Sequence, residues 1–139
     1  MSNFQSLGVE QGRDFGRQCD LLLNSHRFTL GKALVIREIG VEIDRVATAP
    51  SGRVIWFEYK GSVRGTRPGL LRTDTLKKAI ANGALVHTMT GRPPFVVLTS
   101  HLPQSGSGAS MLATALDAGY LADAICIYDQ YAVRRLQSL

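Results

Sequence analysis

The chain is predicted to fold as a mixed α/β domain, a central β-sheet flanked by helices, and three features of its sequence point there. Residues 41–47 alternate apolar and polar with period two, Pro50-Ser51-Gly52 supplies turn chemistry, and residues 53–60 read as a strand. Together they predict an antiparallel hairpin. The run Phe95-Val96-Val97-Leu98-Thr99 is almost wholly apolar, the pattern of a strand buried on both faces. Segments with helical spacing separate these strands, which adds strand-helix-strand units to the hairpin. At 139 residues the chain fits one compact core, so residues 1–139 are read as a single domain.

Each element has its own signal. Phe15, Cys19, Leu22 and Leu23 repeat on one helical face and predict a first helix over residues 8–24. The branched run at 33–36 and the alternating run at 41–47 give two strands, and 53–60 gives a third. Residues 61–69, rich in Gly, Arg and Pro, read as a flexible basic loop. Leu76 and Ile80 place a second helix over residues 70–82, with Gly83 expected to stop it. After the central strand at 95–99, a Gln/Ser/Gly loop leads to a third helix at 109–118, stopped by Gly119, and a last strand at 124–128.

Composition bounds the function classes. Hydrophobic residues make up 45% and charged residues 19%, a balance that folds and does not resemble a disordered chain. No apolar run approaches the ~20 residues of a membrane span, and Met1-Ser2-Asn3-Phe4-Gln5 lacks a basic segment followed by an apolar one, so the expectation is a cytoplasmic protein with no membrane partner. Cys19 and Cys126 lie far apart among apolar neighbours and read as buried thiols. Net charge is +5, and its distribution is uneven. Before Lys60 seven bases meet seven acids; residues 60–92 carry seven bases against Asp74 alone; the remainder is near neutral. The basic excess thus follows Glu58-Tyr59-Lys60 directly, as a surface facing a polyanion would require.

Side chains two apart on a strand share a face, which pairs Glu42 with Asp44 and Glu58 with Lys60. A hairpin turning at residues 48–52 brings Asp44 near Glu58. Two adjacent carboxylates repel, yet they are the hard oxygen ligands that Mg²⁺ requires, with Mn²⁺ able to substitute. Such an ion beside a phosphodiester stabilises developing charge and lowers the pKa of an attacking water, and Lys60 adds a positive point charge there.

Glu42-Ile43-Asp44 followed by Trp56-Phe57-Glu58-Tyr59-Lys60-Gly61 resembles the PD-(D/E)xK nuclease superfamily of restriction endonucleases, junction resolvases and repair nucleases. Ile43 stands where the name-giving proline would be. The resemblance spans residues 8–98, and more loosely the whole chain. It implies a restriction endonuclease-like α-β-β-β-α-β core, here with an added helix and strand. It further implies Asp44 and Glu58 as metal ligands, the Tyr59 carbonyl as a further one, and Lys60 as the catalytic lysine of a metal-dependent endodeoxyribonuclease.

Some superfamily members add a carboxylate from the first helix, for which Glu10 and Asp14 are the candidates; both read more readily as surface acids. Arg64, Arg67, Arg72, Lys77 and Lys78 are expected to contact DNA phosphates without reading sequence, with a solvated basic face as the plain alternative. His101 has no acidic partner beside Ser100, His26 and His87 lack metal-ligand spacing, and Gly31-Lys32 lacks the glycine of a nucleotide loop. Trp56 is expected in the core. A catalytically silent nucleic-acid-binding subunit of a larger complex is the second reading. A homodimer, allowing paired cuts, and a targeting partner protein are expectations by analogy.

Overall fold

The computed structural model describes residues 4–62 and 69–139, with the side chains of the first helix described from Arg13 onward. It is an α/β arrangement with helices on both faces of a five-stranded mixed sheet. The elements are α1 (Phe4–Ser25), β1 (Thr29–Leu30), β2 (Leu34–Ile36), β3 (Val41–Ile43), β4 (Arg45–Thr48), β5 (Val54–Lys60), α2 (Thr73–His87), β6 (Phe95–Thr99), α3 (Gly106–Asp117), β7 (Asp123–Cys126) and α4 (Gln130–Val133). Single 3₁₀ segments, Gly69–Leu71 and Arg134–Ser138, precede α2 and follow α4. Among the described residues no helix is long and apolar enough to cross a membrane.

Strand order in the main sheet is β1-β4-β5-β6-β7, antiparallel up to β5 and parallel from β5 to β7. The expected hairpin is β4–β5, closed by Ala49-Pro50-Ser51-Gly52, where Gly52 N–H donates to the Ala49 carbonyl (2.8 Å) and Gly52 takes φ +89°. β6 is buried throughout and lies between two strands, as its apolar run predicts. Parity along β5 and β6 divides the core. Ile55, Phe57, Val96 and Leu98 pack with Phe15, Cys19 and Leu23 of α1, whereas Trp56, Phe95 and Val97 pack with Leu76, Ala79 and Val86 of α2 and Leu112 of α3.

Two expectations need correction. The alternating run 41–47 is not one strand: β3 pairs with β2 in a separate two-stranded sheet, β4 joins the main sheet, and Asp44 lies between them. The alternation slips by one residue there, because Val41 and Ile43 face the α2 layer, but beyond Asp44 it is Val46 that does so while Ala47 faces α1. The second correction concerns Gly83, which does not end α2. The helix continues to His87, and Gly83 lets it approach the chain entering β7: a Cβ there would run into the Tyr120 carbonyl oxygen and come within 2.8 Å of Leu121 Cδ2. Two short elements, β1 and α4, are too brief to leave a periodic signal, and α1 and α3 begin earlier than the apolar spacing marks.

The close approach at Gly83 predicts the sign of a substitution. Alanine gains about 1 kcal/mol of helix propensity, but relieving the overlap with backbone costs more, about 1–3 kcal/mol from overpacking alone. Gly83→Ala is therefore expected to lower the urea midpoint without changing the slope, and a stabilised variant would overturn this account of the glycine.

Candidate active site

Carried one step beyond Arg45↔Phe57, the β4–β5 register sets Asp44 opposite Glu58. At that step the strand has already left the sheet, and a side chain replaces the missing backbone acceptor: Tyr59 N–H donates to Asp44 Oδ2 at 2.8 Å. Within an extended strand the N–H and C=O of one residue point the same way, so the Tyr59 carbonyl is directed to this same side of β5. The two residues predicted to face each other across the hairpin thus stand opposite in register, and Asp44 adds to the rise of the Glu58 carboxyl.

Glu58 faces the α2 layer and is 2% exposed. Its Oε1 accepts from Asn82 Nδ2 of α2 at 2.7 Å and lies 3.5 Å from Lys60 Nζ. Its Oε2 is buried without a hydrogen-bond partner. Burial pushes the carboxyl up to about 7; the Lys60 charge and the Asn82 amide oppose that shift, and Asp44 adds to it. Asp44 is also raised, by burial first and by Glu42 last, against the opposing Tyr59 amide and Lys60. Lys60 pairs with Thr99 in the parallel register and keeps 27% of its side chain exposed, so one end of the site is open to solvent.

Other predicted residues take different positions. Glu42 is exposed on β3, opposite Val35, and its charge adds to the rise of the Asp44 carboxyl. Asp14 forms an exposed ion pair with Arg17 at 2.7 Å, while the side chain of Glu10 lies outside the described residues. Trp56 is in the core against α2. Arg64 and Arg67 also lie outside the described residues. Lys78 is exposed one turn before Asn82 on the same face of α2, and α2 runs back along β5, so Lys78 lies on the Lys60 side of Asn82. Arg72, exposed, occupies the N-cap position of that helix without a side-chain cap bond. Lys77 turns away and borders a groove between α2 and α3 with Ile80, Met111 and Tyr120.

Asp20 is the residue that sequence reasoning missed. Its Oδ1 accepts from the Tyr59 hydroxyl (2.7 Å) and Arg45 Nε (3.1 Å), and its Oδ2 from Arg45 Nη2 (2.7 Å). This network ties α1 to β4 and β5 beside Asp44. The signal was faint: Asp20 follows Cys19 and flanks the apolar stripe of α1, where a partly buried acid needs a partner.

The donor set consists of carboxylate and backbone oxygens, which suits a hard divalent cation; no group of three or more His, Cys, Asp or Glu side chains converges among the described residues. Two carboxylates suffice for Mg²⁺, which keeps much of its water. Glu58 Oε2, buried and without a hydrogen-bond partner among the described residues, is the atom such an ion would satisfy. No family model matches the chain, and comparison with curated proteins and with solved structures finds no match either.

With a folded pKa near 7 against an ordinary 4.5, Glu58 holds its proton more tightly when folded. Its contribution to stability is therefore complete below about pH 4.5 and declines as pH rises through 7, by ~3 kcal/mol in total. Urea unfolding of metal-free protein at about pH 5 and about pH 8.5 should show this loss, and Glu58→Gln should remove most of it. Added Mg²⁺ should restore stability to the parent at the higher pH only. A parent whose stability is flat across this range would show that Glu58 is not held out of its normal titration.

Proposed function

We propose that this chain is a Mg²⁺-dependent DNA endonuclease of the PD-(D/E)xK type. The observation that carries the reading is the buried Glu58 with one unsatisfied carboxylate oxygen, flanked by Asp44 and Lys60 at the open end of a sheet. A structural ion pair would be expected to satisfy both carboxylate oxygens, because burying a charge without partners is costly. The element order agrees in part, since a helix, strands ending in the β4–β5 hairpin, α2 and β6 follow one another as in a restriction endonuclease-like core, with five strands in two sheets where that core has three.

Asp44, Glu58 and the Tyr59 carbonyl would hold the ion, which when bound neutralises developing phosphoryl charge and acidifies a coordinated water. The remaining work belongs to side chains of the protein. Asn82 fixes the Glu58 rotamer through Oε1 and leaves Oε2 free to ligate. The Tyr59 amide fixes Asp44 in the same way through Oδ2. Lys60, held only at 3.5 Å, can turn its ammonium from Glu58 toward a phosphate oxygen once the carboxylate is otherwise engaged. Arg72 and Lys78 would position the DNA backbone along the N-terminal half of α2, with Arg64 and Arg67 in the intervening segment. A homodimer would align two such sites for paired cuts, and a partner protein would supply targeting.

Purified protein should cleave at least one of duplex, nicked, single-stranded and four-way DNA with Mg²⁺ or Mn²⁺ and lose this in EDTA. Glu58→Ala and Lys60→Ala should each lower the rate by at least about a hundredfold while retaining DNA binding. Inertness across that panel would reject catalysis. Binding that is indifferent to metal and to Asp44→Ala would instead favour the silent nucleic-acid-binding subunit.

A further inference from the structure

A cleft of about 440 Å³ opens on the α1 face of the sheet, on the other side of β5 from Glu58. Asp44, Tyr59 and Gly61 form its floor, and Arg13, Arg17 and Asp20 of α1 form one wall. Three guanidinium groups border it, and they are not equivalent. Arg45 is fully engaged, with Nε and Nη2 on Asp20 and Nη1 on the Gly31 carbonyl at 2.7 Å. Arg17 spends one nitrogen on the exposed Asp14 and remains 71% exposed. Arg13 is exposed, and among the described residues no ion pair engages it. Arg13 and Arg17 are one turn apart, so both guanidiniums project from the same face of α1.

The charge balance gives these arginines a role. Asp14, Asp20 and Asp44 offset Arg13, Arg17 and Arg45 in the absence of a cation, whereas a divalent cation held by Asp44 and an ionised Glu58 would leave an excess of one positive charge. We infer that the cleft between α1 and the end of β5 is a second phosphodiester subsite, in which Arg13 and Arg17 hold a backbone phosphate of the DNA whose scissile phosphate lies at Glu58 and Lys60. The inference rests on the nuclease reading for the identity of its ligand. It deepens that reading by adding a basic contact outside residues 60–92, where the sequence concentrates its positive charge. The DNA backbone would then be gripped on both faces of β5, by α1 on one side and by the start of α2 on the other.

Fluorescence anisotropy with labelled duplex and four-way DNA in Ca²⁺, which supports binding without turnover, tests this as a function of salt. Each lost phosphate contact lowers the log–log salt slope by about 0.9, so Arg13→Ala/Arg17→Ala should reduce it by about 2 and weaken binding on the order of tenfold per arginine near 0.1 M salt. The double lysine variant should keep most of the slope, and Ca²⁺ stabilisation of the DNA-free protein should be the same in all three. An unchanged affinity and slope in the double alanine variant would overturn the subsite alone. Failure of the parent protein to bind either DNA would remove the nuclease reading and the subsite with it.

Discussion

The hydrogen bond from the Tyr59 amide to the Asp44 carboxylate is the contact on which the site depends. β5 runs on past the point where β4 pairs with it, which leaves a half-buried N–H needing an acceptor. An unsatisfied amide in such a place costs about 1–3 kcal/mol, and a carboxylate that accepts from it is stabilised in its charged form. One bond therefore completes the sheet and holds a negative group opposite Glu58. It also marks the slip in strand phase. Had the alternation continued unbroken, Arg45 would lie on Ile43's side, toward α2; the slip turns it toward α1, where Asp20 receives it in a bidentate pair.

Like Asp44, Glu58 is raised by burial. Its surroundings favour the neutral acid, and neither one amide bond nor an ammonium at 3.5 Å repairs that. The energy that tolerates it comes from its neighbours on β5 and β6: Ile55, Trp56, Phe57, Val96, Val97 and Leu98 are all buried, and each such side chain contributes about 1.5–3 kcal/mol. A core this apolar can carry one unsatisfied carboxylate oxygen. Its persistence there is the kind of local violation of packing rules that functional sites show.

Most of the sheet was legible in the sequence because strand parity and apolar content are local properties. The hairpin register, the buried β6 and the Glu58–Lys60 face all followed from counting residues. What escaped depended on tertiary facts. Residues 41–47 alternate only as far as Asp44, since Asp44-Arg45 are both polar and Val46-Ala47 both apolar, but that two sheets divide the segment there shows only in the fold. Gly83 looks like a helix stop until Tyr120 is seen to need the space that a side chain would fill. At the site, the register of Asp44 with Glu58 and the pairing of Glu58 with Lys60 were readable from spacing. Asp20 was not legible because an acid flanking an apolar stripe reads as a surface residue until Arg45 and Tyr59 are placed over it.

The topology explains why the cationic residues gather at one end. A parallel β5-α2-β6 crossover returns the helix alongside the strand it follows, so the first turns of α2 stand over the last residues of β5. Lys78 and Arg72 are brought toward Lys60 by that reversal alone, whatever the intervening segment does. α1 reaches the same strand end from the other face through Phe15 and the Asp20–Tyr59 bond. Because neighbouring residues of a strand point to opposite faces, Glu58 and Lys60 serve the α2 side while Tyr59 serves the α1 side. Gly61 keeps the exit narrow: a Cβ there would come within 2.6 Å of Ser100 Oγ and 2.9 Å of Phe15 Cζ. The end of β5 is thus held between two helices, with Glu58 buried toward α2 and Lys60, Arg72 and Lys78 more exposed around it.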